Sequence, residues 1–125
     1  MERMTTQEIV KRSCKVSGAD FKKTYTVLAK LLETNTFRAM RYGNSLLFYK
    51  IEEPKKAYLF LTTADNGMEL LAAVRDFDKA LRIAGFVEAR MSVKDPQFLS
   101  LLKRAGLQFI TTPISAGDVL VTMKV

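Results

Sequence analysis

The seven residues Ala57 to Thr63, AYLFLTT, constrain this chain more than any others. They are almost continuously apolar, a pattern that fits a central strand covered on both faces. Behind them, Asn66 and Glu69 stand at capping-box spacing and open a helix over about Gly67 to Ala84. Its buried stripe is expected to be Leu70, Val74, Phe77, Leu81 and Ala84, with Gly85 as C-cap. Val87 to Val93 then alternates. Val87, Ala89, Met91 and Val93 take one face, and Glu88, Arg90, Ser92 and Lys94 the other. Strand, long helix and strand in this order make a crossover between parallel strands, right-handed by the general rule.

The flanking segments complete an α+β pattern. Thr5-Thr6-Gln7-Glu8 is a capping box before a short helix that carries Ile9, Val10 and Val16. Its apolar face is thin, so residues 1–16 read as a helical arm that docks on another subunit. A stronger helix follows, with Phe21, Tyr25, Leu28 and Leu32 on one face. Phe37 to Tyr42, a turn at Gly43-Asn44, Leu46 to Glu52, and a turn at Glu53-Pro54-Lys55 lead into Ala57 to Thr63 as an antiparallel meander. Near the end, Asp95 is a good N-cap and Pro96 suits the first helical position. Phe98, Leu101, Leu102 and Ala105 recur at helical spacing, and Gly106 ends that helix. Leu107 to Thr112 and Val119 to Val125 form a closing hairpin. The expected architecture is one α/β domain over residues 1–125: N-terminal helices, an antiparallel meander, then β-α-β-α-β-β in one mixed sheet.

Composition removes several chemistries. The chain has no histidine, which excludes a Ser-His or Cys-His triad, and its lone Cys14 excludes an intrachain disulfide and a Cys/His zinc site. Cys14 reads as a small buried apolar residue. No apolar run is long enough to cross a bilayer and the first residues lack the apolar core of a signal peptide, so a cytoplasmic, non-secreted protein is expected. Lys and Arg number 20 against 13 Asp and Glu, for a formal charge of +7. That balance favours anionic partners, with Lys55, Lys56, Arg75, Lys79 and Arg82 as the contacts for an anion, nucleic acid or acidic protein. Asp76 and Asp78 interrupt this field. Tyr42, Phe48 and Tyr49 read as sheet residues in preference to base-stacking ones.

The stretch Asp95 to Phe109, DPQFLSLLKRAGLQF, resembles the last helix-and-strand unit of the GNAT acetyltransferase superfamily. The element order from about residue 20 onward is similar too, with that family's first strand missing or replaced by the N-terminal helix. The resemblance implies a tyrosine general acid at the position held by Leu102, which has no proton to give. Phe98 stands where the family keeps a small residue beside the cofactor. The family's phosphate loop, (Arg/Gln)-x-x-Gly-x-(Gly/Ala), corresponds to Thr62-Thr63-Ala64-Asp65-Asn66-Gly67. Here Asp65 would sit among phosphates and repel them, or Asp65 or Asn66 would cap its own helix. Thr62, Thr63, Asp65, Asn66 and Gly67 thus mark a vestigial loop. Among candidate bases, Glu52 and Glu53 read as solvated turn charges, and Glu88 as an ion-pair partner of Arg90 or Lys94.

With phosphate loop, acid and base all missing, the resemblance implies a degenerate domain with no catalytic residues and no cofactor. The small internal core proteins of short-tailed bacteriophages are similar in kind, at the Tyr42-Gly43 step and at Phe60-Leu61-Thr62-Thr63. The leading expectation is a non-catalytic structural or virion protein that assembles with phage particle proteins or with itself through Ile9, Val10 and Val16. The alternatives are a divergent N-acyltransferase that uses acetyl-CoA or another acyl-CoA, with Glu88 or water taking the proton, and a nucleic-acid or acidic-protein binding module.

Overall fold

Helices lie on both sides of the sheet, yet the expected burial of the central strand on both faces is incomplete: Ala57 and Leu59 are buried, but Phe60, on the opposite face, is 43% exposed. The computed structural model describes residues 3–125. In chain order the elements are α1 (Thr6–Ser17), α2 (Phe21–Glu33), β1 (Arg38–Tyr42), β2 (Ser45–Glu53), β3 (Lys56–Thr63), α3 (Gly67–Ile83), β4 (Glu88–Val93), α4 (Pro96–Arg104), β5 (Gln108–Ser115) and β6 (Asp118–Lys124). The strands form one six-stranded mixed sheet in the order β1-β2-β3-β4-β6-β5. Every neighbour pair is antiparallel except β3 and β4, which the α3 crossover joins in parallel.

Alternation along β2 and β3 sends successive side chains to opposite layers. Leu47, Ala57 and Leu59 pack with Val74, Phe77, Leu81 and Leu102 of α3 and α4, and with Ala89, Met91 and Val121. Leu46 and Phe48 pack on the other side with Ile9, Val10, Cys14 and Leu28 of α1 and α2. On α3 the buried stripe is Leu71, Ala73, Val74, Phe77 and Leu81. It lies one position away from the expected stripe at its start, with Leu70 only half-buried, and it stops before the exposed Ala84. Val87 is also exposed, because it precedes the β4 ladder and gives its N–H to the Lys55 carbonyl.

The first helix is not a free arm. Ile9 and Val10 are 0% and 1% exposed, while Val16, the third residue of the expected docking face, is 85% exposed. Lifting α1 away would expose Ile9 and Val10 at roughly 1.5–3 kcal/mol each, a large share of the 5–15 kcal/mol that holds an ordinary domain together. The side chain of Arg41 holds the segment that leads into α1: its Nη2 donates to the Met4 carbonyl at 2.6 Å and to Asn44 Oδ1 at 2.9 Å. The Thr5–Glu8 capping box forms as the sequence implies. Among the described residues no helix is long and apolar enough to cross a membrane.

Candidate functional site

The β3–β4 ladder closes over Lys56↔Glu88, Ala57↔Ala89 and Tyr58↔Arg90 and goes no further. Both strands continue. β3 stays paired with β2 as far as Ser45↔Thr63, and β4 with β6 as far as Val93↔Val119. Beyond Tyr58 and Arg90 the two strands therefore part in the middle of the sheet, and their facing backbone groups lie outside any β3–β4 ladder. Central strands do not forgo such bonds without cost, because a buried amide without a partner loses roughly 1–3 kcal/mol. A cleft that admits a ligand or solvent is the setting in which such parting persists.

The N-terminus of α3 stands at the end of β3. Asn66 is its N-cap by position but makes no side-chain cap hydrogen bond, so the expected Asn66–Glu69 capping box does not form. The first amides of α3 are thus exposed donors at the positive end of the helix. Gly67 turns the chain into the helix at φ +55, a left-handed conformation that favours glycine. Glu69 is exposed in the same first turn and opposes an anion there.

Asp65 does not point at this terminus. It is buried, and its Oδ2 accepts from the Asn44 N–H at 2.9 Å and from Ser45 Oγ at 2.7 Å. Its own N–H donates to Thr63 Oγ1 at 2.9 Å. The carboxylate is spent on the β1–β2 turn, so the expectation that it repels phosphates, or caps α3, is corrected. Thr62 is buried beside it, and Thr63 holds Asp65 and Ser45 together.

Polar groups cross the seam between β3 and β4 at its closed end. Tyr58 Oη and Ser92 Oγ are 3.2 Å apart. Tyr58 belongs to the last paired rung, and Ser92 lies beyond it, so this hydroxyl pair bridges the seam where the strands begin to part. Sequence reading missed it, because Tyr58 sits in an apolar run and Ser92 is far along the chain; only the parallel register brings them together. Leu102 is buried among core residues, at a void of about 40 Å³ that Phe98 also lines. Glu88 pairs with Lys56 at 3.8 Å in place of Arg90 or Lys94, and Arg90 pairs with Glu52 at 3.0 Å. Glu52 is therefore not merely a solvated turn charge. Glu53 pairs with Lys56 at 3.4 Å.

The candidate basic contacts are largely engaged elsewhere. Arg75 donates to the Arg104 carbonyl at the end of α4, and Arg82 pairs with Asp78 at 2.7 Å. Lys55 takes the left-handed turn position between β2 and β3, and Lys79 is exposed on α3. Tyr42 and Tyr49 pack edge-on against Phe77 and Phe86, as sheet residues. On the α1/α2 side of the sheet, a groove of about 660 Å³ runs between these helices and the floor made by Phe48, Tyr58, Phe60 and Thr62.

No protein-family model and no curated protein matches the sequence. Solved structures do match in shape. A ribosomal-protein-alanine N-acetyltransferase from Brucella melitensis is 11% identical with a TM-score of 0.61, covering 99% of this chain and 98% of that one. A Bacillus subtilis acetyltransferase solved in complex with CoA is 11% identical with a TM-score of 0.62, over 99% of this chain and 95% of that one. An IAA acetyltransferase from Bacillus cereus is 11% identical with a TM-score of 0.59, over 99% and 97%. The fold is that of the GNAT N-acetyltransferases. These matches overturn the expectation of a non-catalytic structural or virion protein: the three solved domains just described, which this architecture matches over nearly their full length, are acetyltransferases. The buried Asp65 removes the charge from the phosphate-loop objection, although Thr62 and Asp65 still stand where the family has Arg or Gln and Gly.

Proposed function

We propose that this chain is an acyl-CoA-dependent N-acyltransferase that lacks the family's usual tyrosine acid. The observation that carries the reading is the parting of β3 and β4 beyond Tyr58 and Arg90, directly beside the uncapped N-terminus of α3. The backbone of Leu59 to Thr63 would hold the extended arm of the coenzyme, and the amides at Gly67 to Glu69 its pyrophosphate. Acyl-CoA, when bound, would supply an activated acyl group: transfer to an amine forms a C–N bond and breaks a C–S bond, the amine's proton goes to water, and the departing sulfur takes a proton from a donor that water then reprotonates.

The chain's own residues divide the remaining work. The Tyr58 phenol, aligned by Ser92 where the strands begin to part, is a proton donor where Leu102 is none. Glu88 is held by Lys56 on a closed rung, so the amine loses its proton to water rather than to this carboxylate. Isothermal titration with acetyl-CoA tests the reading. Saturable binding that survives moderate salt is expected, and absence of binding overturns it. Tyr58→Phe should lower kcat at least a hundredfold while acetyl-CoA affinity stays within about twofold. Unchanged turnover would remove Tyr58 from the mechanism.

A further inference from the structure

The groove between α1/α2 and β3 has an unusual lining for a basic protein. Its volume of about 660 Å³ is that of a small-molecule site. Two of its large apolar side chains remain exposed, Val27 at 56% and Phe60 at 43%, although Phe60 belongs to the central strand. Lys23 is the one ionised side chain among the lining residues, and no Asp or Glu joins it. Lys50 stands 5.8 Å from the ring centroid of Phe37 at the groove wall. An apolar trough flanked by cations repels a polycation and favours an apolar body with a negative end. Tyr58 lines the same groove, which therefore meets the cleft at the hydroxyl pair.

We infer that this groove binds an amphiphile with an apolar body and an anionic head group seated at Lys23. That this ligand is the acyl acceptor, its amine presented at Tyr58, rests on the acyltransferase reading; the binding itself does not. The class excluded is the polyamine.

Equilibrium titration of the full chain with decanoate and with decyltrimethylammonium, both below micellar concentration and without acyl-CoA, separates the two questions. Decanoate is expected to saturate at one site and to bind at least tenfold more tightly than the cation. Each methylene removed from the carboxylate should weaken binding about fourfold. Lys23→Glu and Phe60→Ala should each lower decanoate affinity about tenfold or more. Both residues are exposed, so folding survives, and a matched melting curve checks it. Lys124→Glu, an exposed charge on β6, should leave affinity within twofold and excludes a general effect of net charge. Equal affinity for the two head groups, or insensitivity to Lys23→Glu, overturns the inference. Decanoate binding in a protein that ignores acetyl-CoA would uphold the groove and refute acyl transfer instead. With acetyl-CoA bound, turnover of 10-aminodecanoate over 1,10-diaminodecane completes the assignment, and the reverse preference rejects the groove as the acceptor site.

Discussion

Replacing Asp65 in two ways separates its charge from its shape. Both bonds to Asp65 arrive at the same oxygen, Oδ2, from Asn44 N–H and Ser45 Oγ. Asn can place its amide oxygen there and keep both donors satisfied, losing only the charge assistance. Asp65→Asn should therefore cost about 1 kcal/mol. Asp65→Ala removes the acceptor altogether. Ser45 Oγ retains Thr63 Oγ1 at 2.6 Å, but the buried Asn44 N–H loses this partner. Loss of the two charge-assisted hydrogen bonds to Oδ2 should cost about 3 kcal/mol. In a domain of this size each kcal/mol lowers Tm by about 4 °C, so Ala should melt about 12 °C below the parent and Asn about 4 °C below. Scanning calorimetry and urea unfolding at neutral pH read both, and the urea slope should not change. If Asn proves as damaging as Ala, the carboxylate acts through its charge and not as a bridge to the turn. If neither is damaged, the latch contributes nothing and the correction made for Asp65 fails.

Three more outcomes follow from single residues. Ile9→Ala should cost about 2–5 kcal/mol in urea unfolding, because α1 belongs to the core; a loss below about 1 kcal/mol would restore the docking arm. Glu69→Gln should tighten acetyl-CoA about two- to fivefold by titration, since it removes a like charge from the first turn of α3; unchanged affinity would place the pyrophosphate elsewhere. Burial raises the Asp78 carboxyl above its ordinary value, against the opposing pull of Arg82. The stabilisation tied to its neutral form is complete below the unfolded-state value and is lost as pH rises through the folded one. Asp78→Asn should therefore stabilise the protein at neutral pH and lose that advantage on acidification; a benefit independent of pH would refute this cause.

Local rules made much of this fold legible. Thr5 and Glu8, and Asp95 with Pro96, each start a helix where capping chemistry places them. The buried face of Ala89, Met91 and Val93 follows from period-two alternation alone. What escaped depends on partners far along the chain. Two adjacent apolar residues, Ile9 and Val10, look like a thin face until Leu46 and Phe48 arrive from β2 to cover them. Asp65, next to Asn66 and Gly67, looks like a cap, yet its partners lie 20 and 21 residues away. The same holds for the cleft. Nothing in AYLFLTT marks Tyr58 as the last paired residue, and the pairing of Glu88 with Lys56 follows only from the parallel register.

That register also gives the sheet a seam. The meander β1–β2–β3 and the group β4–β6–β5 are two wings hinged on three rungs and on the side-chain bridges Glu52–Arg90, Lys56–Glu88 and Tyr58–Ser92, all at one end. Amide protons in each wing should exchange as a separate block, with the seam as the weakest line between them. A molecule lodged between the wings would then act as a missing seventh strand, and its departure would leave the protein softer as well as empty.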